Sequence, residues 1–285
     1  MLLHVTSFCN TLFLVQTLFE YSSDSWHELE LPGPNEPLER LPHLKWDSPA
    51  RLFSPAFWRH QHWTEIDLKP TDRNRCKLGE SLLEETVGCV LGGFGLAAES
   101  SMAYFSLMKT LGVFESPPST MESVFQILRT PVVINGRPRR YRFWKSKGSY
   151  IYRILKNHTA SIAAWEKSEK CPIRLRENLR ELPGIGIKTA SWISRNWLDS
   201  DKIAVIDIHI LRSLAYLGYK IPATVTTNAY ITAEQAFLGL AESLGVSAQT
   251  LDLVMWSRMR ELIPKISPPK LAKSIDAVRF ELIGT

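Results

Sequence analysis

From Glu80 onward the apolar residues recur at helical spacing. Leu82, Leu83, Val87, Val90 and Leu91 fall on one face before Gly92-Gly-Phe-Gly95 interrupts the run. Met102, Phe105, Met108 and Leu111 form the next stripe, which stops at Gly112. Further helices are predicted at about 174–182, 187–197, 207–217, 232–244 and 248–262, with Thr232 and Gln235 spaced as a capping box. Residues 1 to about 75 read differently. Short alternating pieces such as Trp26-His-Glu-Leu-Glu-Leu31 suit strands, Leu31-Pro-Gly-Pro-Asn-Glu-Pro37 breaks the chain, and nothing there has the length of a helix. No strand signal of that strength follows residue 75. The pattern predicts a mainly α body over 76–285 behind a small, partly irregular or β N-terminal segment, 1–75.

Composition narrows the class. Of 285 residues, 45% are hydrophobic and 22% charged, which is ordinary for a globular protein and excludes a disordered chain or a fibre. No apolar run approaches the roughly 20 residues that cross a bilayer, and the start lacks a basic region, so neither a membrane span nor a signal peptide is expected. Cys9, Cys76, Cys89 and Cys171 are scattered without a CxxC pair, which argues for plain thiols in a reducing compartment. His4, His27, His43, His60 and His62 cluster early but have no acidic or thiol partner at ligand spacing, so no metal or other cofactor is expected. No heptad or repeat calls for a second chain, and a monomer is the expectation.

The net charge of +5 permits a polyanionic partner, and its distribution favours one. Between Glu122 and Glu166 there is no acidic residue, while nine Lys and Arg, from Arg129 to Lys156 and including Arg139, Arg140 and Arg142, fall inside. Tyr141, Phe143, Trp144, Tyr150 and Tyr152 interleave with them. Such mixing suits a surface that tracks phosphates and stacks on bases.

The sharpest local signal is Leu182-Pro-Gly-Ile-Gly-Ile-Lys-Thr-Ala190. Gly184 and Gly186 sit in a tight turn between two predicted helices spanning about 174–197. They let backbone N–H groups at the second helix's start approach an anion with no Cβ in the way. Lys188 stands in that helix's first turn, where the dipole disfavours a positive charge and so favours the neutral amine that imine chemistry needs. Nineteen residues later, past the apolar run Ile203-Ala-Val-Ile206, Asp207 opens the next helix. Alone, Asp207 reads as an N-cap and Lys188 as an exposed lysine. Their combination beside a glycine hairpin points to chemistry on a phosphodiester-linked substrate.

Leu182–Lys188 followed by Val205-Ile-Asp207-Ile-His209 resembles the signature of the helix-hairpin-helix DNA glycosylase superfamily, and within it the 8-oxoguanine DNA glycosylase/AP lyase family. The resemblance implies a two-lobed helical fold with the core at 76–285. It also implies double-stranded DNA carrying a damaged or modified base as partner, in a prokaryotic nucleoid or a eukaryotic nucleus. It makes Lys188 the nucleophile, Asp207 the catalytic carboxylate and His209 a neighbour of the 5′ phosphate. Lys188 predicts a bifunctional enzyme, because superfamily members without the lysine only remove the base. On the helix at 248–262, Asp252 would face the edge of the flipped base and Trp256 would stack on it. Arg140 resembles the arginine that contacts the orphaned opposite base. Gly92-Gly-Phe-Gly95 replaces the family's polar, Asn-containing turn, which makes Phe94 a candidate wedge. A glycosylase for another modified base, such as a hypermodified phage base, and a non-catalytic DNA-binding hairpin protein are the competing readings.

Overall fold

The computed structural model describes residues 15–69, 77–93, 95–222, 224–263 and the strand 279–280. Phe94, Cys9 and Cys76 lie outside them. In chain order the elements begin with β1 (Gln16–Ser22), β2 (Ser25–Leu31) and α1 (Pro55–His62), the last running into a π turn at Trp63–Asp67. There follow α2 (Leu82–Leu91), α3 (Ala98–Thr110), α4 (Met121–Arg129), β3 (Val132–Ile134), β4 (Arg137–Arg139), α5 (Trp144–Asn157) and α6 (Thr159–Ser168). The series closes with α7 (Pro172–Arg180), α8 (Ile187–Leu198), α9 (Ile208–Tyr216), β5 (Thr224–Val225), α10 (Thr227–Ser243), α11 (Ala248–Leu262) and β6 (Arg279–Phe280). The described residues fold into two units, one from Arg73–Lys202 and one from Met1–Asp72 with Ile203–Glu281.

In the Arg73–Lys202 unit, α2 runs through the middle and is buried along its whole length. Its Glu85, with no exposed surface, accepts hydrogen bonds from Leu78 N (2.6 Å), Gly79 N (3.0 Å) and Asn196 Nδ2 (3.0 Å). A buried carboxylate left without such donors would be costly, so this one ties the entry to α2 and the end of α8 to a single point. Around α2 pack Tyr104 and Met108 of α3, Leu128 of α4, Ile151 and Ile154 of α5, and Leu175, Leu179 and Ile193 of α7 and α8. Truncating one of the larger of these to Ala costs about 2–5 kcal/mol.

Two features of this unit correct the sequence reading. The basic stretch, where the pattern predicts no helix, is mostly occupied by α4, α5 and α6. And a strand pair does follow residue 75. Val132 pairs with Arg139 and Ile134 with Arg137, across a two-residue turn in which Asn135 (φ 51°) and Gly136 (φ 72°) are both left-handed. Asn-Gly suits that hairpin turn, and each arm has only three residues, too few to show an alternating pattern. Tyr104 Oη anchors it, donating to Thr130 O at 2.7 Å and Arg139 O at 3.0 Å.

The other unit contains the β1–β2 hairpin, which bears out the strand reading of Trp26–Leu31. It also contains a helix the sequence did not suggest. Ser54 Oγ accepts from Phe57 N at 3.0 Å and Pro55 opens the first turn, so eight residues suffice for α1. Phe53, Phe57, Trp58 and Tyr216 form its aromatic core. The capping box at Thr232 is not one. α10 begins five residues earlier, capped by Thr226, and the Thr232 hydroxyl turns back to Asn228 O at 3.0 Å inside the helix. Thr226 won because its hydroxyl meets the free Ala229 N–H at 3.2 Å. Lastly, Ile203–Ile206 joins no sheet. Its backbone is satisfied by side chains one turn apart on α10: Glu234 accepts from Ala204 N (2.9 Å), while Tyr230 Oη donates to Ala204 O (2.9 Å) and accepts from Ile206 N (3.0 Å).

Candidate active site

The hairpin between α7 and α8 is set by two apolar anchors and one obligatory glycine. Leu182 and Ile185 are buried, and Ile185 N donates to Leu182 O at 3.2 Å to close the turn. Gly184 has φ +76°, and a Cβ there would stand 2.2 Å from Tyr150 Cδ2 of α5. Nothing but glycine fits. Gly186 is different: it is the N-cap of α8 at φ −84°, with no atom within 4 Å of where a Cβ would lie. No side chain caps this helix. Its first N–H groups therefore have no side-chain cap among the described residues, an arrangement suited to a phosphate. Lys188 is the second residue of α8 and is half-buried.

Asp207 sits at the start of α9 in the other unit. Its Oδ1 accepts from His209 N (2.8 Å) and Ile210 N (3.0 Å), so the carboxylate does cap the helix, and it is 8% exposed. The N-cap reading and the chemical reading are not exclusive. Both N–H groups fall on one oxygen, and Oδ2 accepts no hydrogen bond among the described residues. The side chain is thus held in one orientation by its two backbone donors.

Along α9 and α11 the structure brings His209 and Trp256 together, ring centroids 6.5 Å apart and nearly perpendicular at 84°. Arg260, one turn on, lies over the Trp256 ring at 4.3 Å. Asp252, one turn before Trp256, is 8% exposed and not a surface residue. Of the early histidines, His60 and His62 are buried on α1, where burial lowers both below the usual histidine range. Among the described residues, no group of three His, Cys, Asp or Glu side chains converges in a way that could hold a metal.

In the Arg73–Lys202 unit the arginines gather where β4 leads into α5. One cavity of about 410 Å³ is lined by Arg129, Arg140, Tyr141, Arg142 and Trp144. A second, of about 510 Å³, shares Arg140 and Arg142 and adds Arg137, Arg139 and the stretch Leu96–Ala97. Arg137, Arg139, Arg140 and Arg142 are exposed and form no ion pair among the described residues, whereas Arg129 pairs with Glu122. Arg129 also lies over Trp144 at 4.9 Å, and Arg142 over Phe143 at 5.0 Å. Unneutralised guanidinium groups beside flat rings suit a nucleic-acid face.

Lys147 was not singled out by the sequence. Its Nζ donates to Gly92 O, the C-cap of α2, at 3.2 Å. Burial, and then the charge of Lys188, holds it well below the usual lysine range, at about 8. The available signal was spacing: Lys147 lies one turn before Tyr150, the residue that packs on Gly184.

Comparisons with known proteins bear on this geometry. The family model described as 8-oxoguanine DNA glycosylase (Ogg-HhH) matches residues 77–246, which include both Lys188 and Asp207. An 8-oxoguanine DNA glycosylase/AP lyase of Methanocaldococcus jannaschii is 33% identical over 121 residues, 41% of this chain and 56% of that one. One from Saccharolobus solfataricus is 30% identical over 136 residues, 44% of this chain and 63% of that one. The chain thus spans less than two thirds of the length of these relatives. The crystal structure of the Methanocaldococcus jannaschii 8-oxoguanine DNA glycosylase superposes with a TM-score of 0.54 at 26% identity, covering 72% of this chain and 92% of that one.

Proposed function

The chain belongs to the 8-oxoguanine DNA glycosylase family, and from that premise we propose that it is a bifunctional DNA glycosylase/AP lyase. Its substrate is duplex DNA carrying an oxidised purine, 8-oxoguanine first. The observation that carries the reading is the uncapped, glycine-led start of α8 with Lys188 in its first turn.

In this mechanism the target nucleotide leaves the stack so that its C1′ becomes reachable. The start of α8, approached past Gly186, takes a backbone phosphate without reading sequence. The bond from C1′ to the base lengthens, and positive charge grows on C1′ and the ring oxygen. The fixed carboxylate of Asp207 favours that charge. The Lys188 nitrogen gives its electron pair to C1′ as the base departs with the pair of the broken bond and takes up a proton. Ring opening leaves an imine between Lys188 and C1′. The imine acidifies C2′; loss of a proton there expels the 3′ oxygen and cuts the strand. Asp252 accepts hydrogen bonds from the edge of the extruded base, Trp256 stacks on its face, and Arg140 contacts the base left behind.

Borohydride trapping on three end-labelled duplexes tests this. One carries 8-oxoguanine opposite cytosine, one an abasic site and one no lesion. The expected result is a covalent adduct on the first two that Lys188→Ala abolishes while DNA affinity stays near wild type. An adduct on the abasic duplex alone moves the substrate to another modified base. No adduct on any duplex leaves a DNA-binding hairpin without lyase chemistry.

A further inference from the structure

α11 is fastened from one side to the segment that carries α1. Thr250, Val254 and Arg258 follow one another at one-turn intervals and form a single stripe on the helix. Thr250 Oγ1 lies 2.8 Å from Nε2 of His62, the last residue of α1. Val254 is buried. Arg258 pairs with Glu65 of the π turn that follows α1. Asp252, Trp256 and Arg260 recur at the same interval but two residues out of step, about 200° round the helix, and so lie on its other side. The base-pocket candidates thus occupy one face of α11 and both attachments to α1 and its π turn the opposite face. Along the chain, Asp252 and Trp256 stand between the two attachment points, Thr250 and Arg258.

The His62 ring is held at both nitrogens. It is buried, and its Nδ1 lies 3.1 Å from Asp67 Oδ1. Asp67 is itself fixed by Arg59, whose Nη1 donates to Oδ2 at 2.8 Å. Burial keeps the ring below the usual histidine range, so at neutral pH it carries a single proton. That proton belongs on Nδ1, because a bare Nδ1 would set its lone pair against the carboxylate. Nε2 is then an acceptor and takes the Thr250 hydroxyl proton. The other acceptor in reach of that hydroxyl is Ser247 O at 3.1 Å, which already receives Leu251 N. Without His62 the hydroxyl turns back to its own helix, which leaves the first turn of α11 formed but no longer tied to α1.

We propose that His62 is a positioning residue for base recognition: through Thr250 it fixes the rotation and depth of α11, and so the place of Asp252 and Trp256 against the extruded base. The inference deepens the glycosylase reading above and rests on its assignment of Asp252 and Trp256. His62 touches no substrate atom. A helix that shifts by about 1 Å misplaces every group on its pocket face at once, which is costly where a base edge has to be matched. An abasic site has no base to match. The effect of His62 therefore falls on excision and spares the lyase step at a site already empty.

The test compares two single-turnover rates: release of 8-oxoguanine from a duplex that pairs it with cytosine, and borohydride trapping on an abasic-site duplex. His62→Ala should lower the first about tenfold and leave the second within about twofold. Thr250→Val keeps the side-chain shape and removes the hydroxyl; it should show the same split, and it decides the matter if His62→Ala does not fold. The double variant should be no slower than the slower single one, since both changes remove one contact. His62→Gln, whose amide oxygen reaches about as far as Nε2, should return excision to within about threefold of wild type. Both rates falling together, or losses that multiply in the double variant, overturn the inference. Asp252→Asn separates it from the reading beneath. Impaired excision by that variant alongside wild-type excision by His62→Ala and Thr250→Val removes the inference alone. Wild-type excision by Asp252→Asn removes the pocket assignment and the inference with it.

Discussion

α8 and α9 open in opposite ways, although each begins after a short apolar turn and each must deal with the same unsatisfied N–H groups. α9 is closed by a carboxylate: Asp207 caps it with one oxygen. α8 is left open: Gly186 offers no side chain, and the space beside it is empty. The difference separates two uses of a helix start. A capped start holds an anion of the protein's own in a fixed direction; an open start awaits an anion from outside. Gly184 and Gly186 differ in the same way: packing requires the first, and nothing lies within 4 Å of where a Cβ of the second would stand.

The largest effect that can break the comparison is at Asp207. Asp207→Asn keeps the cap and removes the charge, so stability should change by only a few tenths of a kcal/mol. The single-turnover excision rate should fall about 10²–10³-fold. Asp207→Ala should lose a further ~1 kcal/mol of stability, read by denaturant unfolding. An Asn variant of near wild-type rate would reduce Asp207 to a cap. Next comes the glycine pair. Gly184→Ala forces a Cβ into Tyr150 at a left-handed φ and should cost about 3 kcal/mol. Gly186→Ala should cost about 0.5 kcal/mol in stability yet weaken duplex binding several-fold. Equal stability losses at the two would erase the distinction. The smallest effect is at the arginine face: Arg139→Ala and Arg142→Ala should each lower the slope of log affinity against log salt by about one. An unchanged slope would place those side chains away from phosphate.

What the sequence disclosed follows the physics of each segment. The hairpin helices were visible because the buried Leu175 and Leu179, and Ala190 and Ile193, keep helical spacing on either side of Gly184 and Gly186. Asp207 was visible because caps are read from residue type. α5 was hidden for the opposite reason. Its buried face is Gly148, Ile151, Ile154 and Leu155, and tyrosines and cations at intervening positions blur that period. Gly148 reads as a breaker, yet it is small so that Phe125 can pack on it, 2.8 Å from where a Cβ would sit. The β3–β4 arms were too short to alternate, and α1 depends on a Ser-Pro start that resembles a loop. Lys147 escaped because its meaning is entirely tertiary: a carbonyl 55 residues away and a neighbouring turn.

The run Ile203–Ile206 behaves as a strand that has borrowed a helix for its sheet. Its amide hydrogens at Ala204 and Ile206 are shielded by Glu234 and Tyr230 rather than by a neighbouring strand. Solvent exchange at those two positions is therefore slaved to the fluctuations of α10. Opening of that stretch of α10 would take away both partners of the segment leading into Asp207, so the placement of that side chain depends on the middle of another helix.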